Sequence, residues 1–194
     1  MGLLMSKSSN VNRNRTRNTA LSAMFIAIGI VLPFFTGQIP QVGNLLLPMH
    51  FPVFLCGLVC GWEYGITVGF VLPLLRSAIF GIPILYPNAL TMAIELATYG
   101  FVSGFLYNRA KNQGIKTIYV SIISAMISGR ITWGLAQLMF LGIKGNTFTW
   151  QMFAAGAFFN AIPGIILQLV LIPAVISVCK LAGITGQRMN TNIG

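Results

Sequence analysis

The 194-residue chain has no aspartate, two glutamates and one histidine. Charged residues make up 7% of it, against roughly 25% in soluble domains. So few charges cannot cover the surface of a soluble fold, whereas a chain solvated by lipid does not need them. The same scarcity removes the usual hydrolytic equipment. No Ser–His–acid set can be assembled, and no His/Asp/Glu cluster has metal-ligand spacing. There is no Gly-x4-Gly-Lys-Ser/Thr nucleotide loop, so ATP hydrolysis would fall to another subunit. The expectation is no catalytic residue, no metal and no cofactor. Cysteine is sparse too. Cys56 and Cys60 lie four apart in one apolar run and Cys179 in another, without a CxxC, and read as small apolar residues.

What is abundant is apolar: 56% of the residues. The net charge of +10 does not point to nucleic acid, because the basic residues are not gathered on a polar face with aromatics between them. They sit in the N-terminal segment and in short connections, as topology signals do. Six apolar segments near the ~20 residues that span a bilayer run approximately over 18–36, 45–62, 64–82, 88–108, 115–143 and 150–180. Lys7, Arg13, Arg15, Arg17, Arg109, Lys111, Lys116, Lys180 and Arg188 fall on one side, and only Lys144 on the other. By the positive-inside rule both termini are cytoplasmic, which agrees with an even number of spans. Arg13, Arg15 and Arg17 before an apolar stretch mimic a signal peptide, but no small-x-small cleavage site follows, so the stretch reads as a retained first helix. The expectation is an all-α integral membrane protein with six transmembrane helices in the cell membrane: a disordered basic tail over 1–17, a membrane domain over 18–182 and a cytoplasmic tail over 183–194.

Gly61-Trp62-Glu63-Tyr64-Gly65 forms a short cytoplasmic turn, making the second and third helices an antiparallel hairpin. Gly57, Gly61, Gly65 and Gly69 recur every four residues through it, the spacing that lets helix backbones approach in lipid. Pro48, Pro52, Pro73, Pro163 and Pro173 interrupt spans. Each frees a carbonyl that must face protein, water or a ligand, so these are either ordinary kinks or the walls of a cavity.

A charge near the bilayer centre costs about 2.5–3.5 kcal/mol on the mildest scale, so it has a partner or a purpose. Four ionisable groups lie in or near the spans: His50, Arg76, Glu95 and Arg130. Counted from the helix ends, these and Asn160 fall in the outer half, while the inner half is nearly bare. A pore would spread polar groups along its length, and a cavity open to the outside concentrates them this way. Arg130, Trp133 and Gln137 stand at i, i+3 and i+7 and share one face, suited to a small, partly planar polar ligand. Alternatively, Arg130 pairs with Glu95 and ties helices together, and the two roles can coexist. Two arginines against one glutamate leave a positive excess that favours an anionic ligand, unless Arg76 snorkels to the interface. The candidate binding residues are Asn44, His50, Arg76, Asn88, Glu95, Arg130, Trp133, Gln137 and Asn160. The uncharged segment 36–44 and the apolar segment 80–88 form outer loops, the latter either a lid or a loop lying in the lipid interface.

The run from Leu47 to Phe105 contains Leu-Pro-Met-His-Phe-Pro-Val-Phe-Leu (47–55), Cys-Gly-Trp-Glu-Tyr-Gly (60–65), Pro-Leu-Leu-Arg-Ser-Ala-Ile-Phe-Gly (73–81) and Met-Ala-Ile-Glu-Leu-Ala-Thr-Tyr-Gly (92–100). With six helices and a basic N-terminus, it resembles the substrate-binding S components of energy-coupling factor (ECF) vitamin transporters. The resemblance implies capture of a vitamin from outside, beneath the first outer loop. It further implies toppling on a transmembrane coupling subunit driven by two cytoplasmic ATPases. The family's Ala-x-x-x-Ala docking signature matches Ala23 and Ala27. The positive excess ranks pantothenate first and a B6 vitamer second. Two other readings remain: a stand-alone ion-coupled carrier with Glu95 as its coupling carboxylate, and a small intramembrane enzyme, against which the missing acid–base groups argue.

Overall fold

The computed structural model describes residues 2–36, 46–143 and 162–182, and these are almost wholly helical. Six helices follow in chain order: α1 (Gly2–Val31), α2 (His50–Cys60), α3 (Trp62–Phe80), α4 (Leu90–Arg109), α5 (Ile115–Ile143) and α6 (Ile162–Leu181). A short 3-10 turn, Leu32–Thr36, ends α1, and an irregular turn, Leu85–Ala89, leads into α4. Five of the apolar helices are long enough to cross a membrane, and α2 is a shorter apolar helix. Their outward faces carry large apolar side chains such as Phe70, Ile127, Leu135 and Val170, as a lipid-facing surface requires.

Three sequence expectations change. The basic segment 1–17, expected to be disordered, continues α1 from Gly2. No proline or glycine interrupts residues 3–28, and extending an existing helix costs far less than starting one. The second apolar run, 45–62, yields only the 11 residues of α2, about 16 Å of helix at 1.5 Å per residue. Just before it, Leu47 takes the left-handed conformation (φ 50°) and Pro48 and Met49 follow in a turn. Pro52 then sits in the first turn of α2, where its missing N–H costs nothing. Finally, the hairpin turn between α2 and α3 is a single residue. Gly61, at φ 106°, separates α2 from α3, and its N–H bonds back to the Gly57 carbonyl. Of the last apolar run, 150–180, the part before residue 162 lies outside the described residues, as do the loop at 37–45 and the tail at 183–194.

The helix α4 is the hub, packed against α2, α3 and α5, while α1 covers α2 and α3, and α6 covers α2 and α5. The glycine stripe makes these contacts possible. A Cβ on Gly65 or on Gly57 would meet the Gly100 carbonyl at 2.6 Å, and one on Gly104 would meet the Gly57 carbonyl at 2.7 Å. Backbones of α2, α3 and α4 therefore touch directly, the packing device expected in lipid. At the α4–α5 connection Lys180 donates to the Gln113 carbonyl and lies over the Tyr107 ring, fastening α6 there.

Candidate functional site

Close packing around α4 brings three of the four ionisable groups together. The Glu95 carboxylate, on α4, receives Nη1 of Arg130 from α5 at 2.9 Å. The Tyr99 hydroxyl, one turn along α4, donates to the same oxygen at 2.9 Å. His50, at the start of α2, has its Nε2 3.7 Å from that oxygen, beyond hydrogen-bond length, and its ring is tilted against Tyr99 with centroids 5.2 Å apart. All four residues are buried, His50 to 1% and Glu95 to 3% exposure. Gly129, beside Arg130, makes room for the Tyr99 ring, which would collide with any Cβ there. A hydroxyl–hydroxyl bond from Thr132 to Thr98, 3.2 Å, stitches α5 to α4 one turn away.

The expected ion pair between Arg130 and Glu95 is thus formed, and it balances its own charge. The surrounding polar atoms are less well served. Both ring nitrogens of His50 and the Oε1 of Gln137 are buried without a hydrogen-bond partner among the described residues. Gln137 lies two turns beyond Arg130 on the same face of α5, and the half-buried Trp133 lies between them. Leaving such atoms unpaired costs roughly 1–3 kcal/mol each.

Arg76 does not join this cluster. Its guanidinium donates to the Ile30 carbonyl at 2.8 Å and lies 5.7 Å from the Phe34 ring and 5.6 Å from the Phe80 ring. It caps a carbonyl in the last turn of α1, where a cation meets the negative end of the helix dipole. The two arginines therefore do not share a cavity, and the charge excess argued from the sequence does not reside beside Glu95. Arg76 is 3% exposed and has no carboxylate partner among the described residues. It is buried between aromatic faces rather than snorkelling outward.

Asn88 is exposed at the turn into α4, with its carbonyl accepting the Thr91 hydroxyl. Asn44 and Asn160 lie outside the described residues. The segment 80–88 is pinned laterally: the Tyr86 hydroxyl donates to the Phe140 carbonyl of α5 at 2.7 Å, and the two rings meet edge to face. Exposed Ile84 and Leu85 in it suit a loop in the lipid interface. Ala23 and Ala27 are exposed on one side of α1 with Met24 beside them. Tyr99 was missed in the sequence reading, although its i+4 spacing from Glu95 on one helix was a usable signal. Among the described residues no three His, Cys, Asp or Glu side chains gather into a metal site.

The chain matches the family of ECF transporter substrate-specific components over residues 17–176. No curated protein and no solved structure matches significantly. The match takes in part or all of each described helix and every residue of the buried cluster. The chain belongs to the substrate-specific components of ECF transporters: it is a multi-pass membrane subunit that works with ECF module subunits on a small-molecule substrate.

Proposed function

We propose that this chain captures a vitamin from the outer side of the membrane between α2, α4 and α5, and that His50, Arg130, Trp133 and Gln137 contact it. The observation that supports this reading is the set of buried polar atoms on His50 and Gln137 without a hydrogen-bond partner among the described residues, beside the charge-balanced Glu95–Arg130 pair. One nitrogen of a neutral imidazole donates and the other accepts, and the Gln137 oxygen accepts. The complementary ligand carries hydroxyl or amide groups able to do both. Pantothenate, with two hydroxyls, an amide and a carboxylate, fits that pattern. Its carboxylate would take guanidinium N–H groups of Arg130 that Glu95 leaves over, because Arg presents five donors. A B6 vitamer is the second candidate, favoured by the charge balance of the Glu95–Arg130 pair and the indole of Trp133 beside it. Glu95 then serves to hold Arg130 in place rather than to carry a coupling ion.

Delivery follows the scheme of the family: the loaded subunit topples on a transmembrane coupling subunit, docked through Ala23 and Ala27, while two cytoplasmic ATPases supply the energy. The test is calorimetry on the purified chain in lipid nanodiscs, with pantothenate and pyridoxine titrated separately. Binding of one of them at one molecule per chain, weakened about tenfold or more by Arg130→Ala or by His50→Ala, is the expected result. Failure of both vitamins to bind, or binding indifferent to both substitutions, would refute the reading.

A further inference from the structure

Among the described residues up to Ser177, α6 is apolar apart from one amide, Gln168. Gln168 is 3% exposed, and a buried amide in lipid needs a hydrogen-bond partner to offset its desolvation. Its Nε2 reaches the carbonyl of Leu47, 121 residues away, at 3.5 Å. That same carbonyl accepts the backbone N–H of His50 at 3.0 Å. Leu47 itself holds φ at 50°, a left-handed conformation that a leucine adopts only when its surroundings impose it. The left-handed turn aims the carbonyl at both donors, fixes where α2 begins and so sets where the His50 ring enters the cluster.

We propose that Gln168 is a positioning residue for the substrate site: through the Leu47 carbonyl it holds the start of α2, and with it His50, against Glu95 and Tyr99. This deepens the capture reading and rests on it for its effect on affinity, but its geometric content stands apart. Removing the amide frees the strained turn to relax towards ordinary backbone angles and moves the one histidine of the chain. The last helix, which contributes no other buried polar side chain among the described residues, thereby becomes part of the binding site without touching ligand.

The single histidine makes the test direct. In the full-length chain in nanodiscs, the imidazole Cε1–H NMR resonance and the rate at which diethylpyrocarbonate forms carbethoxy-imidazole, read by its ultraviolet absorbance, both report on His50 alone, with no ligand present. Gln168→Leu is expected to shift that resonance and to raise the modification rate several-fold, while Ser177→Ala on the same helix leaves both unchanged. Affinity for whichever of pantothenate or pyridoxine binds the wild type should fall about tenfold in Gln168→Leu, the scale of one lost buried hydrogen bond. In a His50→Ala background the same substitution should cause no further loss. If Gln168→Leu does not fold, Gln168→Met retains side-chain length and removes the donor. An unshifted histidine signal with an unchanged modification rate in a folded variant would overturn the proposal, as would losses that add in the double variant. A shifted signal in a protein that binds neither vitamin would sink the capture reading and leave the positioning role standing.

Discussion

The Glu95–Arg130 pair allows a prediction whose size follows from its geometry. Opposite charges with 2.9 Å between nitrogen and oxygen attract by roughly 6 kcal/mol at an effective dielectric of about 20. Desolvation of the two buried ions offsets most of that, so the pair adds little net stability. Breaking it from one side is a different matter, because it strands a charge among apolar helices, at a cost of about 3–5 kcal/mol. Glu95→Gln keeps an oxygen for the Tyr99 hydroxyl and removes only the charge, and Arg130→Met removes the opposite charge at similar length. Each single variant should therefore lose about 3–5 kcal/mol of unfolding free energy, and the double variant only about 1–2 kcal/mol, because it leaves neither charge stranded. Unfolding by SDS titration in mixed micelles measures all four corners of this cycle. Either single variant within about 0.5 kcal/mol of wild type, or a double variant as unstable as the sum of the singles, would refute the reasoning, since distant independent sites add to that precision.

Other outcomes follow from the packing. Gly100→Val should lower the melting temperature strongly, because a Cβ there already strikes the Gly65 backbone; overpacking of this kind costs about 1–3 kcal/mol or more. Gly81→Ala is the control: nothing lies within 4 Å of its Cβ, so only the strain of φ 70°, about 1 kcal/mol, remains. Arg76→Met should reduce stability by about 1–3 kcal/mol through loss of the bond to Ile30, yet change vitamin affinity less than Arg130→Ala does, and calorimetry reversing that order would return Arg76 to the substrate site. Ala27→Leu, on the exposed side of α1, should abolish co-purification with the ECF module while leaving vitamin binding by the isolated chain unchanged.

How far the site could be read from the sequence varied with the kind of information required. Depth was legible. Hydropathy and the placement of lysine and arginine assign a residue's height in the bilayer, and this put His50, Glu95 and Arg130 in the outer half before any contact was known. Lateral position was not legible. The same reading put Arg76 in the outer half, but which helix faces which is decided by contacts such as Gly65 against Gly100, and these carry α3 so that Arg76 meets the end of α1. The second apolar run looked long enough to span the bilayer, because residues 45–49 are as hydrophobic as a helix interior. The left-handed Leu47 just before α2 has no signature in its side chain. The glycines four apart, by contrast, announced close packing correctly, since a residue without a side chain lets two helix backbones touch.

The sequence alone determined the solvent, the class of fold, the arrangement of basic residues about the membrane and the helices that carry polar groups. These depend on composition and on order along the chain, and lipid enforces them locally on each segment through the cost of unsatisfied backbone and stranded charge. Only the tertiary structure decided which polar groups meet. Glu95 joins Arg130 and Tyr99 and leaves Arg76 aside, and Gln168 reaches Leu47 across 121 residues. Those pairings depend on the rotation and sideways placement of whole helices, which hydropathy does not encode and which close backbone packing around α4 sets.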